Sequence, residues 1–326
     1  MRLAFVGGYG HFYLSAATGS AGAVAVASDG VDTEAARKRH ASLLDAGAAW
    51  YDSPVELFDA FGPDIVNVGA VYAHNGSVAV EALRRGVRVV SDKPIAADWP
   101  TLSAIREAAG EDGVALTEFD FRSKATFRAA AEAVKAGEIG DVVLATAQKS
   151  YKFGTRPDFY RRREDYGSTI LWIASHGIDG VRFVTGQRLV SVTGRHGNVS
   201  QPTYGDSFED HCVTTFALEG GASAVVHADL CRPKAAASHG DDRLRVVGSR
   251  GVVEVRDDRC VLTTHDQPET DITDRVGATP LHEALLAAAS DGDTTWYSTN
   301  ETLKTAAVLL AARDAADTGQ SVPIRS

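Results

Sequence analysis

A lysine held between an aspartate and a proline, Asp92-Lys93-Pro94, follows directly on the apolar run Val87-Arg88-Val89-Val90. If that run is a parallel strand, Lys93 leaves its carboxyl end, where doubly wound sheets bind ligands. Pro94 biases the lysine towards an extended backbone and so helps to fix its direction. The plainer alternative is a solvated loop lysine beside a proline.

The first strand-like run, Leu3–Val6, ends in Gly7-Gly8-Tyr9-Gly10. Glycines between a strand and a helix suit a pyrophosphate, because backbone N–H groups face the anion and absent side chains let it approach. The fingerprint is imperfect: counted from Gly7, its later positions hold Tyr9 and Phe12. Ser28-Asp29 follows the second run, about where an acid would bind adenosine ribose hydroxyls. Asp29 in that role favours NAD. Ser28 there, with Arg37 or Lys38 nearby, would accommodate the 2′-phosphate of NADP. A turn residue before Gly30 is the structural alternative for Asp29.

Positioning these groups falls to elements whose character changes along the chain. Over the first 120 or so residues, the runs Leu3–Val6, Ala23–Ala27, Ile65–Val68, Val87–Val90 and Val114–Leu116 alternate with helical patterns over Asp32–Ala46, Pro54–Phe61, Gly76–Arg85 and Pro100–Ala109. That alternation predicts a parallel, doubly wound Rossmann sheet, since parallel neighbours need a crossover. From about Thr146, longer alternating runs take over: Leu189–Thr193, His211–Leu218, Ser223–Asp229, Arg243–Val247, Val252–Val255 and Cys260–Thr264. They predict a large open, mainly antiparallel sheet in an α+β domain. Helices are expected at Phe127–Ala136, Ser168–Thr185 and Asn300–Thr318, the last closed by Gly319. The fold expected is thus α/β, with domains at 1–121 and 122–326 and helix 300–318 available to pack back on the first.

At 326 residues the chain is long enough for two cores. With 44% hydrophobic and 23% charged residues it has a globular balance, and a net charge of −10 without long runs of one sign argues against a nucleic-acid partner. Cys212, Cys231 and Cys260 form no CxxC pair, which points to reduced thiols in a cytoplasm and to no metal site. The strand-like start Arg2–Val6 leaves no signal peptide expected, and no apolar stretch suffices to span a bilayer.

These marks together resemble the glucose–fructose oxidoreductase/inositol dehydrogenase (Gfo/Idh/MocA) family. The resemblance is carried by the glycine-rich first turn, Asp92-Lys93-Pro94, Ala133-Val134-Lys135-Ala136-Gly137-Glu138-Ile139-Gly140, the Gly167…His176…Asp179 segment, and Gly248-Ser249-Arg250-Gly251-Val252-Val253-Glu254-Val255, in family order. It implies an NAD(P)-dependent dehydrogenase in which Lys93 hydrogen-bonds the substrate hydroxyl near the nicotinamide and His176 is the general base. The family's Glu-Lys-Pro becomes Asp92-Lys93-Pro94. Its helical Asp, four residues before the histidine, is replaced by Trp172, which cannot accept a proton. Where the family places Pro-Asn and then His, this chain has Val71-Tyr72 and Asn75, with His74 as a shifted counterpart. Arg122 matches a family arginine at the domain crossover, with a salt bridge as its alternative, and Asp179 a further acidic position.

The stretch Tyr151 to Arg161 falls where the family's substrate loop lies. Its aromatic rings and polar tips suit a sugar or polyol, with Trp172 and Tyr160 as pocket walls. Arg156, Arg161, Arg162 and Arg163 also hint at an acidic or phosphorylated substrate. The expected activity is hydride transfer between nicotinamide and a hydroxyl or carbonyl carbon of a sugar, polyol or derivative. The lost acid at 172 and the altered loops leave two alternatives: a cofactor-binding sensor without turnover, or a reductase of an imine or unsaturated substrate. A sheet with one uncovered face needs a partner, so a homodimer or homotetramer is expected.

Overall fold

The computed structural model describes residues 1–256, 258–290, 292 and 296–325. Two compact units emerge. The first comprises residues 1–118, 164–167 and 280–306; the second comprises 119–163, 168–279 and 307–326.

In the first unit, β1 (Arg2–Val6), β2 (Ala23–Ala27), β3 (Ala49–Tyr51), β4 (Ile65–Val68), β5 (Arg88–Ser91) and β6 (Ala115–Thr117) form one parallel sheet in the order 3-2-1-4-5-6. Its central strands are apolar on both faces, as a sheet covered by helices on each side requires: Leu3, Ala4, Phe5 and Val6 have no exposed surface. The crossovers carry α1 (Thr33–Arg39), α2 (Ala41–Asp45), α3 (Pro54–Phe61), α4 (Asn75–Leu83) and α5 (Trp99–Ala109). Local sequence sets their starts. Asp32, Ser53 and Asp98 each accept a hydrogen bond from a first-turn amide, and Pro54 and Pro100 occupy the first turns of α3 and α5.

Three features of this unit depart from the expected elements. The helix anticipated over Asp32–Ala46 is broken into α1 and α2 at His40, whose ring is buried with Nε2 3.0 Å from the Gly7 carbonyl oxygen. The glycine turn leads into a 3-10 segment, Tyr13–Ser20, entered through Phe12 in a left-handed conformation (φ 51°), rather than into an α-helix. The short β3 has no counterpart among the expected strands.

The second unit contains α6 (Ala125–Lys135), β7 (Val142–Tyr151), α7 (Arg163–Tyr166, three of whose residues belong to the first unit), α8 (Ser175–Thr185), β8 (Leu189–Gly197), β9 (His211–Leu218), β10 (Ser223–Asp229), β11 (Gly240–Gly248), β12 (Gly251–Arg256), β13 (Arg259–Thr264) and β14 (Thr270–Asp271). After α9 (Leu281–Ser290), which belongs to the first unit, come α10 (Thr299–Thr318) and β15 (Val322–Pro323). The nine-stranded sheet runs 14-13-12-11-7-10-9-8-15 and is antiparallel except where β7 meets β10.

Alternation decides its two faces. Ala145, Ala147, Val226, Ala228, Leu244, Val246 and Val253 are buried, whereas Val213 and Arg245 on the opposite face remain exposed. The helix expected from Ser168 starts with a π-helical turn over Ile170–Ala174 and becomes α-helical only at Ser175. No helix among the described residues is long and apolar enough to cross a membrane.

Candidate active site

The strand order of the first unit reverses between β1 and β4, the topological switch point where open α/β sheets bind ligands. The loops leaving these two strands are fitted closely together. A Cβ on Gly10 would lie 2.6 Å from the Gly69 Cα, and one on Gly7 would lie 2.4 Å from the Gly69 oxygen. A Cβ on Gly8 would meet the backbone of α1 at 2.5 Å. Gly7, at φ +93°, makes the tight turn. Tyr9 and Gly10 donate their amides to the Gly69 oxygen, and the Tyr9 hydroxyl donates to Asp32.

Turn and packing glycines at a switch point fit a dinucleotide, and Gly7–Gly10 with Asp29 are the residues that would hold it. Asp29 is half-buried and accepts from the amides of Val31, Asp32 and Val71, so it ties the β2 and β4 loops together. Ser28 is fully buried, bonded to the Gly30 amide and the Thr33 hydroxyl. Arg37 stacks on the Trp50 ring, its guanidinium carbon 3.9 Å from the centroid.

Lys93 leaves β5 with only 2% of its surface exposed. Its Nζ lies 2.9 Å from Asp92 Oδ1 and 3.0 Å from His11 Nδ1. His11 Nδ1 is also 2.9 Å from Asp92 Oδ2, and the His11 amide donates to that oxygen. Burial alone would raise the Asp92 pKa, but Lys93 and His11 outweigh it and hold the carboxyl well below the usual range. Glu118, at the end of β6, has no exposed surface; burial and then the Asp92 charge push it up to about 8. Its Oε1 accepts from Asn67 and the Tyr13 amide. Asn75 braces the same loop, accepting from the Ala70 amide and donating to the Asp92 and Pro94 carbonyls. His74, beside it, sits 2.9 Å from Asp165 through Nε2.

His176 and its surroundings belong to the second unit. The ring is buried on the first turn of α8, with Nδ1 2.7 Å from Asp120 Oδ1. Asp120 also meets Lys124 at 3.0 Å, and Asp242 bridges Lys124 and Lys149 at 2.8 and 2.9 Å. Burial would raise the Asp120 pKa, yet Lys149, His176 and Lys124 together hold it well below the ordinary carboxylate range. Asp120, from another part of the chain, thus lies beside the histidine whose helix carries Trp172 four residues earlier.

Arg122 and Asp179 form a bidentate, buried pair at 2.8 and 2.6 Å. Their polar atoms are turned on each other in a charge-assisted pair, the salt-bridge alternative for Arg122. Trp172 is 6% exposed, edge-on to the fully buried Tyr160 and capped by the Arg156 guanidinium 5.2 Å from its centroid. These three form an interlocked aromatic–cation group, with Arg156 half-buried and donating to the Lys152 carbonyl. Of the flanking arginines, Arg161 pairs with Asp158, and Arg163 with Glu209 and Asp317.

His11, Asn67, Glu118, Asp120 and Lys149 are the site residues that sequence reasoning passed over. His11 and Glu118 each carried a signal: a titratable group one residue beyond the glycine cluster, and an acid at the carboxyl end of a parallel strand. Asp120 and Lys149 carried none, because the pairing that gives them meaning joins segments distant in sequence.

Comparison with known proteins accords with this arrangement. Residues 1–119 match the oxidoreductase family with the NAD-binding Rossmann fold (GFO/IDH/MocA), and residues 127–254 match the GFO/IDH/MocA C-terminal domain. The NAD(+)-dependent scyllo-inositol 2-dehydrogenase of Bacillus subtilis (strain 168) is 24% identical over 209 residues, covering 63% of this chain and 58% of that protein. The match thus spans somewhat more than half the length of that relative. A myo-inositol dehydrogenase of Streptomyces leeuwenhoekii is 27% identical over 226 residues, covering 69% of this chain and 67% of that protein. A Thermotoga maritima structure described as an oxidoreductase superposes with a TM-score of 0.91 at 31% identity, covering 99% of this chain and 100% of the other.

Proposed function

Because the chain belongs to the GFO/IDH/MocA oxidoreductase family, we propose that it is an NAD-dependent dehydrogenase moving hydride between nicotinamide and a hydroxyl-bearing carbon of a cyclic polyol or sugar. The bound nicotinamide supplies the hydride acceptor; the rest of the chemistry falls to this chain. Lys93 holds the reacting oxygen and stabilises negative charge as it develops. His176 takes the hydroxyl proton, and Asp120, beside its Nδ1, orients the ring and favours the imidazolium that forms.

The observation that carries this reading is the 2.7 Å contact between His176 and Asp120. It restores a carboxylate partner that the tryptophan at 172 removes, and so weighs for turnover over a sensor that only binds cofactor. NAD is favoured over NADP, because Ser28 is sealed by its own hydrogen bonds and Arg37 is committed to Trp50, whereas Asp29 keeps partial exposure near the ribose position. The inositol dehydrogenases among the relatives make inositol isomers the first substrates to try. The free thiols of Cys212, Cys231 and Cys260 suit a reducing cytoplasm. The uncovered face of the nine-stranded sheet suits a second copy of the chain, in a dimer or tetramer.

The test is NADH absorbance on mixing the protein with NAD+ or NADP+ and a panel of inositols and sugars, with protein fluorescence reporting cofactor binding. Reduction of NAD+ by at least one cyclic polyol is expected. Cofactor binding without turnover across the panel would return the reading to a sensor, and no binding of either cofactor would remove it altogether.

A further inference from the structure

Lys93 is almost sealed from solvent, so exchange of its ammonium protons with water needs a route. A ring nitrogen beside it, His11 Nδ1, faces two demands. At 3.0 Å from the Lys93 ammonium it should accept a proton; at 2.9 Å from Asp92 Oδ2 it should donate one. A single nitrogen cannot do both at once. The alternatives are a proton on Lys93 with Nδ1 bare, or a proton on Nδ1 with Lys93 a neutral amine. Asp92 lies within bonding distance of both groups, so its charge compensates either state.

The His11 side chain is 42% exposed against 2% for Lys93. His11, Asp92 and Glu118 also offer ligand atoms within 4.8 Å of one another, but the Lys93 ammonium already places a positive charge among them.

Resting on the reading that Lys93 holds the reacting oxygen, we propose that His11 is a positioning and relay residue that connects the Lys93 amine to solvent, making the lysine a proton-exchanging acid rather than a fixed charge. The step balances without a co-reactant. The Lys93 Nζ–H bond breaks as the His11 Nδ1–H bond forms, the positive charge moves to the imidazole, and Nε2–H gives its proton to water. Reversal reloads the lysine. The groups facing the relay are Asp92 and Lys93 from the loop after β5, Glu118 from the end of β6, Arg39 of α1, whose Nη2 donates to the His11 carbonyl, and the Tyr13 ring stacked on the imidazole at 5.5 Å. Glu118, protonated near neutrality, adds little negative charge of its own.

The test reads the lysine directly and needs no substrate. In the full chain labelled with 15N-lysine, the exchange of the Lys93 ammonium hydrogens with water is followed by NMR in the wild type, His11→Ala and His11→Gln. Glutamine retains bulk and hydrogen bonding but cannot pass a proton through a ring. Exchange should slow by about tenfold or more in both variants, the size expected when a proton-transfer group is removed, and added imidazole should restore it in His11→Ala. Unchanged exchange in both, or slowing in His11→Ala alone, overturns the relay. If the variants do not fold, the wild type decides: the Lys93 Nζ resonance must titrate with the His11 ring, and independent titration overturns the proposal. A normal polyol turnover in His11→Gln despite slowed exchange overturns the use of the relay in catalysis. Absence of any polyol turnover in the wild type, with exchange behaving as expected, sinks the dehydrogenase reading instead.

Discussion

At the scale of single residues, the site is built from charges that pair with neighbours rather than with water. His176 has Asp120 at Nδ1, and Asp120 is kept ionised by Lys149 and Lys124, so an imidazolium formed at His176 meets a ready counter-charge. His176→Gln should therefore lower kcat by about 10²- to 10⁴-fold, and Asp120→Asn by about 10²-fold with KM little changed. Steady-state kinetics with the best polyol checks both; an Asp120→Asn variant with normal kcat would make the pair structural. The sequence revealed His176 through its place in a family pattern. It hid Asp120, since the pairing exists only once the segment after β6 lies against α8.

Among the elements, the loops after β1 and β4 meet with no room for a side chain. A Cβ on Gly69 would stand 2.4 Å from the Gly10 Cα and 2.6 Å from the Phe12 ring. Gly69→Ala should cost about 1–3 kcal/mol, the range for overpacking a tight site, and weaken NADH binding with it. Denaturant midpoints and a fluorescence titration report the two effects. The loop after β1 rests on His40, where burial depresses the pKa to about 4 against an ordinary 6.5. Between those values the unfolded chain binds more protons than the native one, so this contribution is intact above pH 6.5 and is lost as pH falls towards 4. The full loss is about 3 kcal/mol. A His40→Gln variant should show a smaller fall in Tm between neutral and mildly acid buffer.

Apolar and β-branched runs made most strands of both sheets legible in advance, because alternation and burial leave a direct trace in residue type; β3, β7, β14 and β15 were not among those expected. The break at His40, the 3-10 entry at Phe12 and the π turn before α8 left no such trace. Each depends on tertiary partners rather than on local propensity.

For the whole molecule, the outward face of the nine-stranded sheet bears on assembly. Val213 is 43% exposed there, opposite His227 on β10, while Arg245 and Glu254 pair across β11 and β12. Val213, with half-buried Val225, Val247 and Val252 on the same face, suits a self-complementary contact. A solution mass of two or four chains is expected by analytical ultracentrifugation, and Val213→Glu should shift it towards one; a wild-type monomer at high concentration would count against the assembly. The interleaving of the two units has a separate consequence. The chain passes between them five times, and α9 and the start of α10 return to the first unit. There Thr299 receives the Ala115 amide of β6, and Ala289 accepts from Arg88 of β5. A single cut near residue 120 thus yields no self-sufficient cofactor module, so recombination between relatives that exchanges only the leading half would strand the edge of the parallel sheet without the distant tail that completes it.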